Sequence, residues 1–296
     1  MEIERGLDFV RVHQATYASK VLRKLGMDTC KPSKTPMPTD WTAADGPSPG
    51  AISSTMAAVD FSSALGALGY LATRTMPWLL YAFGALSTVA RPSAAIPDAP
   101  TTAARQCLGR TLRFLKHSIS WGLTFRKVPD YGLDGLMDAS HGREVHRTAA
   151  GYCRSRSGGM ILAGGACVSA WSSVQMATAL STFEAELYAL VLTVRVLMAM
   201  RQLAEFLLGR ALRPSFIYCD NQSAIIFLRR RDLSARARHI RVHLGFVYDA
   251  IDSGCFHFRY VRSKQNPANS LTAAEDEERF YRSVMAFSGT DVRAST

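Results

Sequence analysis

The chain has 296 residues, of which 48% are hydrophobic and 20% charged. It is long enough for one large or two modest cores, and too apolar to be disordered throughout. Its formal net charge of +11 points to an anionic partner, nucleic acid being the commonest, with solubility alone as the plain alternative. The six cysteines form no C-x-x-C pair and no His spacing suggestive of zinc, so free thiols in an intracellular, reducing compartment are expected, cytoplasm and nucleus being indistinguishable. The opening "MEIERGLDFV" lacks the apolar run of a secretory signal. The apolar stretch 75–90 is short and carries an early proline, which predicts a buried helix and no membrane partner.

In chain order, "ATYASKVLRKLGM" predicts one short helix, stopped at Gly26 and by Pro32, Pro36 and Pro38. Residues 41–58, rich in Gly, Pro, Ser and Ala, read as a linker. Two helical stretches come next, 59–92 and 100–118. The second sets Leu108, Leu112 and Leu115 on one face and Arg110, Arg113, Lys116 and His117 beside them. Such a basic face is either solvated or a phosphate contact. Trp78, Trp121 and Tyr70 are core aromatics, with base stacking as the other reading.

From about residue 120 the rhythm changes to strands. "WGLTFRKV" and "LDGLMDAS" read as strands, the latter ending on Asp138, and 149–173 as two strands joined at Gly158–Gly159, with a second glycine pair at 164–165. A long helix is predicted over 182–208, capped by Ser181 or Thr182, with Glu184 and Glu186 near its start and Gly209 closing it. Strand "SFIYCD", helix "QSAIIFLR", a basic loop over 229–243, helix "LGFVYDAID", strand "CFHFRYVRS" and a last helix complete the chain. This order predicts an α/β fold with a mixed sheet flanked by helices.

Asp138, Glu186 and Asp220 each stand at the predicted end of an element. Taken singly, they have ordinary roles: turn former, helix-terminus acid and helix cap. Together at one sheet edge they would repel unless cations neutralised them, and oxygen-only ligands suit Mg²⁺ or Mn²⁺. Two such ions can activate a water and stabilise the leaving oxygen of a phosphodiester.

"STFEAELYAL", "YCDNQSAI" and "LMDASHG", the blocks around these acids, are similar to the ribonuclease H domain of copia-type retrotransposon Pol polyproteins. "CVSAWSSVQMATALSTFEAELYAL" resembles the stretch ending in Glu-Ala-Glu-Tyr, "YCDNQSAI" the Asp-Asn-Gln-Ser-Ala block, and "RARHIRVHLGFV" the Arg-x-Lys-His-Ile segment. "LMDASHG" with "RTAAGY" resembles the strand bearing the first catalytic Asp and the turn after it. "VLRKLGMDTCKPSKTPM", "LGALGYLATRT" and "LRFLKHS" resemble the connection segment between polymerase and ribonuclease H.

The resemblance implies a five-stranded ribonuclease H-like domain over 119–296, preceded by a mainly helical connection segment over 1–118. It implies two Mg²⁺ or Mn²⁺ ions and cleavage of the RNA strand of RNA–DNA hybrids. By motif the acids are Asp138, Glu186 (rather than Glu184) and Asp220. The fourth acid of the family's Ala-Asp-x-Leu-Thr block is replaced by Asn269 in "PANSLTAA", and Arg241 stands where an acid follows the His-Ile pair. Glu275 and Asp276 lie too far past the anchor for a simple register shift. The basic loop, with Arg229, Arg230, Arg231, Arg236, Arg238, His239 and Arg241, is the expected phosphate contact. No Tyr-x-Asp-Asp occurs, so the missing polymerase part of the polyprotein is an implied partner. The expectation is weakened hydrolysis. The alternative is a catalytically inactive, mobile-element-derived nucleic-acid-binding or scaffold protein.

Overall fold

The structure, a computed structural model, describes residues 1–41, 54–90, 100–145, 153–231 and 241–292. It contains a five-stranded mixed sheet flanked by helices, as the sequence predicts, together with a helical N-terminal part. The strands are β4 (Asp134–Val145), β5 (Cys153–Ala163), β6 (Ala166–Val174), β7 (Ser215–Cys219) and β8 (Phe256–Tyr260), in the spatial order β6-β5-β4-β7-β8. β4, β5 and β6 run antiparallel to one another, whereas β7 joins β4 and β8 joins β7 in parallel. A separate antiparallel sheet joins β1 (Glu2–Arg5), β2 (Phe9–His13) and β3 (Gly122–Arg126).

Each face of the large sheet has its own core. Successive strand residues point to opposite sides. Met137 and Ile161 therefore pack with the long helix α6 (Thr182–Leu208), α7 (Gln222–Arg230) and α8 (Arg241–Asp252). Leu136 and Met160 pack instead with α3 (Phe61–Arg74), α4 (Leu80–Thr88), α5 (Thr102–His117) and the last helix α9 (Glu277–Ser288). Trp78 and Trp121 are buried in this second core, while Tyr70 is exposed with its ring edge-on to Tyr17. The two remaining helices are short: α1 (Ala15–Lys24) and α2 (Ser54–Ala58), the latter inside the stretch read as a linker, whose residues 42–53 lie outside the described residues.

Four expectations are corrected. The hairpin β1–β2 is absent from the sequence reading, and "WGLTFRKV" supplies β3 to that small sheet rather than to the large one. Gly158–Gly159 is not a turn: β5 runs straight through it, and the turn falls at Gly164–Gly165, both with positive φ. The first pair serves close approach instead. A Cβ on Gly158 would lie 2.7 Å from Leu271 Cβ, and one on Gly159 would collide with the Trp171 ring. Asp138 stands inside β4 rather than at its end, opposite Gly158, because pairing with β5 carries the strand on through a polar, irregular stretch. Finally, the basic face of α5 is turned inward. Arg110 donates to Thr35 O (3.3 Å), Arg113 to Lys31 O (2.7 Å) and Lys116 to Cys30 O (2.8 Å), so these cations satisfy carbonyls of an irregular segment.

Candidate active site

Asp138 is buried in β4, and Thr272 Oγ1 donates a hydrogen bond to its Oδ2. The parallel register pairs Gly135 with Ile217 and Leu136 with Tyr218. Continued two residues further, it sets Asp138 level with Asp220, the first residue after β7. The apolar run of β7 ends there because α7 begins at once, and Asn221, not Asp220, caps that helix by accepting from Ala224 N–H (3.0 Å). The capping role that competes for Asp220 is thus filled by its neighbour.

Glu184 and Glu186 are separated by function in the same way. Ser181 Oγ accepts from Glu184 N–H (3.2 Å), and Glu184 Oε2 accepts from Leu180 N–H (2.8 Å), so Glu184 serves the start of α6. Glu184 also accepts from the Tyr188 hydroxyl (2.7 Å). Glu186 is 5% exposed and points the other way, toward Asp138 and Asp220. Burial, then the charges of Asp138 and of Asp220, push its carboxyl up to about 9. Its Oε2 has no hydrogen-bond partner among the described residues.

One carboxylate oxygen each from Glu186 and Asp220 and the sulfur of Cys219 all lie within 4.8 Å of one another. Asp138 is coupled to this group through its charge. Burial pushes the Cys219 thiol well above its ordinary range, with Glu186 adding to it.

Asn269 lies in a 3-10 turn, Pro267–Leu271. Its Nδ2 donates to Ser263 O (2.8 Å), and its Oδ1 has no hydrogen-bond partner among the described residues. The turn is held to the sheet by Asn266 Nδ2 donating to Met137 O (2.9 Å) and by the Ser172 hydroxyl donating to Leu271 O (2.6 Å). A polar cavity opens between Asp138, Ser140, His141, Asn269, Thr272 and Glu275. Glu275, set aside on sequence register, therefore faces the same cavity as Asp138 and Asn269. Burial raises its carboxyl to about 7, partly offset by the Ser283 hydroxyl, which donates to it (3.0 Å). Its proximity is created by the folding-back of the turn, which linear spacing does not encode. Cys219 is also missing from the sequence-derived candidates. Its clue is adjacency to Asp220, where the strand ends and the alternation of faces breaks.

Carboxylate and amide oxygens suit a hard divalent ion, and two buried acceptors here, Glu186 Oε2 and Asn269 Oδ1, have no hydrogen-bond partner among the described residues. A proton on Glu186 relieves the repulsion in one way, and a cation relieves it in another.

Of the basic residues, Arg229 and Arg230 are exposed at the end of α7. Arg231, the helix C-cap with φ of 52°, shares its guanidinium with Asp252 and lies over the Tyr248 ring, 5.4 Å from its centre. Arg236, Arg238 and His239 lie outside the described residues, and Arg241 begins α8. All six cysteines are free. No helix among the described residues is long and apolar enough to cross a membrane.

No family model matches the chain. It is similar to the retrovirus-related Pol polyprotein from transposon TNT 1-94 of Nicotiana tabacum, 27% identical over 272 residues, which is 90% of this chain and 19% of that protein. The chain thus spans about a fifth of that relative's length. A shorter stretch of 132 residues, 45% of the chain, is 36% identical to secreted RxLR effector protein 161 of Plasmopara viticola and covers 84% of it. Among solved structures, LC11-RNase H1 isolated from compost aligns at 12% identity and a TM-score of 0.36, covering 47% of this chain and 91% of that one. The extent of the first match agrees with the motif resemblance: over nine-tenths of its length the chain is similar to a retrovirus-related Pol polyprotein of a transposon.

Proposed function

We propose that residues 119–296 act as a ribonuclease H-type nuclease on the RNA strand of RNA–DNA hybrids, with hydrolysis weakened by Asn269, and that residues 1–118 serve as the connection segment to a polymerase part of the polyprotein. The observation that carries this reading is Glu186: a buried carboxylate with an unpartnered oxygen, facing two further acids. Asp138, Glu186 and Asp220 would hold Mg²⁺ or Mn²⁺, two ions in the full arrangement. Bound divalent ions supply the activation of a water and the stabilisation of the leaving oxygen. Thr272 fixes the rotamer of Asp138 through its hydroxyl. Asn269 offers a neutral carbonyl oxygen where a charge would bind an ion more tightly. Exposed Arg229 and Arg230, with the basic residues beyond them, contact phosphates without reading bases.

The same Asn269 favours a second reading, a catalytically inactive protein that retains the nucleic-acid surface. A hybrid-cleavage assay in Mg²⁺ or Mn²⁺ separates the two. The nuclease reading expects slow cleavage that Asn269→Asp accelerates. Full activity with Asn269 in place would overturn the weakening. No cleavage by either protein, with no thermal stabilisation by either ion, would leave the inactive reading.

A further inference from the structure

We propose that Glu186, Cys219 and Asp220 form a binding site for a thiophilic divalent cation of the Zn²⁺ class, and that its occupancy excludes hard ions from the two carboxylates. The proposal shares two residues with the nuclease reading but does not rest on it.

The argument starts from geometry. A ligand atom from each residue lies within 4.8 Å of the other two, close enough to surround one small ion. Glu186 is 5% exposed, its carboxylate supplies one of the three ligand atoms, and its Oε2 is an acceptor with no donor among the described residues. An unpaired acceptor at that depth costs free energy that a bound cation would recover.

The chemistry of the donors then selects the ion. Mg²⁺ takes oxygen ligands and has little use for sulfur. Zn²⁺ accepts thiolate and carboxylate together, and three protein ligands leave a fourth position for water. For a shared site it also binds more tightly than Mn²⁺ in the general order of divalent metals. The Asn221 N–H donates to Cys219 Sγ (3.3 Å), which favours negative charge on that sulfur. On binding, a sulfur lone pair bonds to the ion and the thiol proton passes to water, with nothing oxidised or reduced. Intermediate exposure of Asp220, beside buried Glu186 and Cys219, gives the ion a route in.

The test uses the full chain and Cd²⁺ as probe, monitoring the ultraviolet thiolate-to-cadmium charge-transfer absorption. A saturable increment is expected in the wild type. It should vanish in Cys219→Ser, which keeps the other five cysteines as an internal control. In Glu186→Gln the midpoint should weaken by at least about tenfold, the loss that disturbing even a ligand's partner produces. An increment unchanged in Cys219→Ser, or a midpoint unchanged in Glu186→Gln, would overturn the site. Should Cys219→Ser fail to fold by circular dichroism, Glu186→Gln decides, because it retains the sulfur. A parallel Mn²⁺ thermal-shift titration keeps the readings apart. A Mn²⁺ response without the Cd²⁺ increment defeats this site and leaves the nuclease reading standing. A Cd²⁺ increment without a Mn²⁺ response does the reverse.

Discussion

Glu186, Cys219 and Asp220 stand on a 27-residue helix and at the end of an inner strand, whereas Asn269 stands on a five-residue 3-10 turn. Groups on helices and strands are held more closely than groups on turns. The firm side carries the charges and the raised Glu186 carboxyl, and the turn carries a neutral amide. The difference teaches that the electrostatic cost of the site is concentrated where the backbone can bear it. The turn is tied to the sheet by hydrogen bonds that owe nothing to a metal, through Asn266, Ser172 and Thr272.

Asp220→Asn strikes the firm side hardest. On the nuclease reading it should lower hybrid cleavage by about 10²–10⁴-fold, the range for loss of a positioned catalytic group. Retention of activity would move the chemistry to the Asn269 side of the cleft. Glu186→Gln comes next and is read by thermal unfolding without divalent ions. The Glu186 carboxyl is raised on folding, so the folded state keeps a proton that the unfolded chain releases. Stability from this group is full below about 4.5 and is lost as pH climbs toward about 9. The variant should lack this decline and gain about 2 kcal/mol or more over the wild type at the alkaline end, one unit being about 1.4 kcal/mol. Equal pH profiles would deny that the charges are crowded.

Gly158→Ala tests how the turn is seated. The added methyl would press on Leu271 and Thr272, costing about 1–3 kcal/mol in denaturant unfolding. Asn269→Asp charges the turn and should tighten Mn²⁺ binding by about tenfold, read by calorimetry. A null result would show that Asn269 Oδ1 does not reach the ion. Asn221→Ala is the mildest change. Losing the cap of α7 should cost about 1 kcal/mol and leave Asp220 in place.

Much of the fold can be read along the chain, because its signals are local. Ser181, Glu184 and Gly209 bracket the long helix through caps that act within one turn. Asp220 ends an apolar run that contrasts sharply with the polar Asn221, Gln222 and Ser223. Signals that depend on distant partners are misread. The hairpin of residues 2–13 is charged and lacks a long apolar alternation, so only its pairing with β3 discloses it. Gly158 and Gly159 are as compatible with a turn as with close packing, and it is Leu271 and Trp171 that decide. The charges of Arg110, Arg113 and Lys116 are visible in sequence, but the carbonyls waiting for them are not. The acids of the site can be nominated one by one, whereas the cavity shared by Asp138, Asn269 and Glu275 belongs to the folded turn.

The core that joins Leu68, Leu108 and Phe114 to Leu136, Met160 and Phe280 has a practical result. A protein trimmed to begin at residue 119 would present a greasy sheet face to water, and α9 would lose the helices it leans on. Anyone wishing to purify residues 119–296 by themselves would have to repaint that surface with polar side chains or carry the preceding helices along.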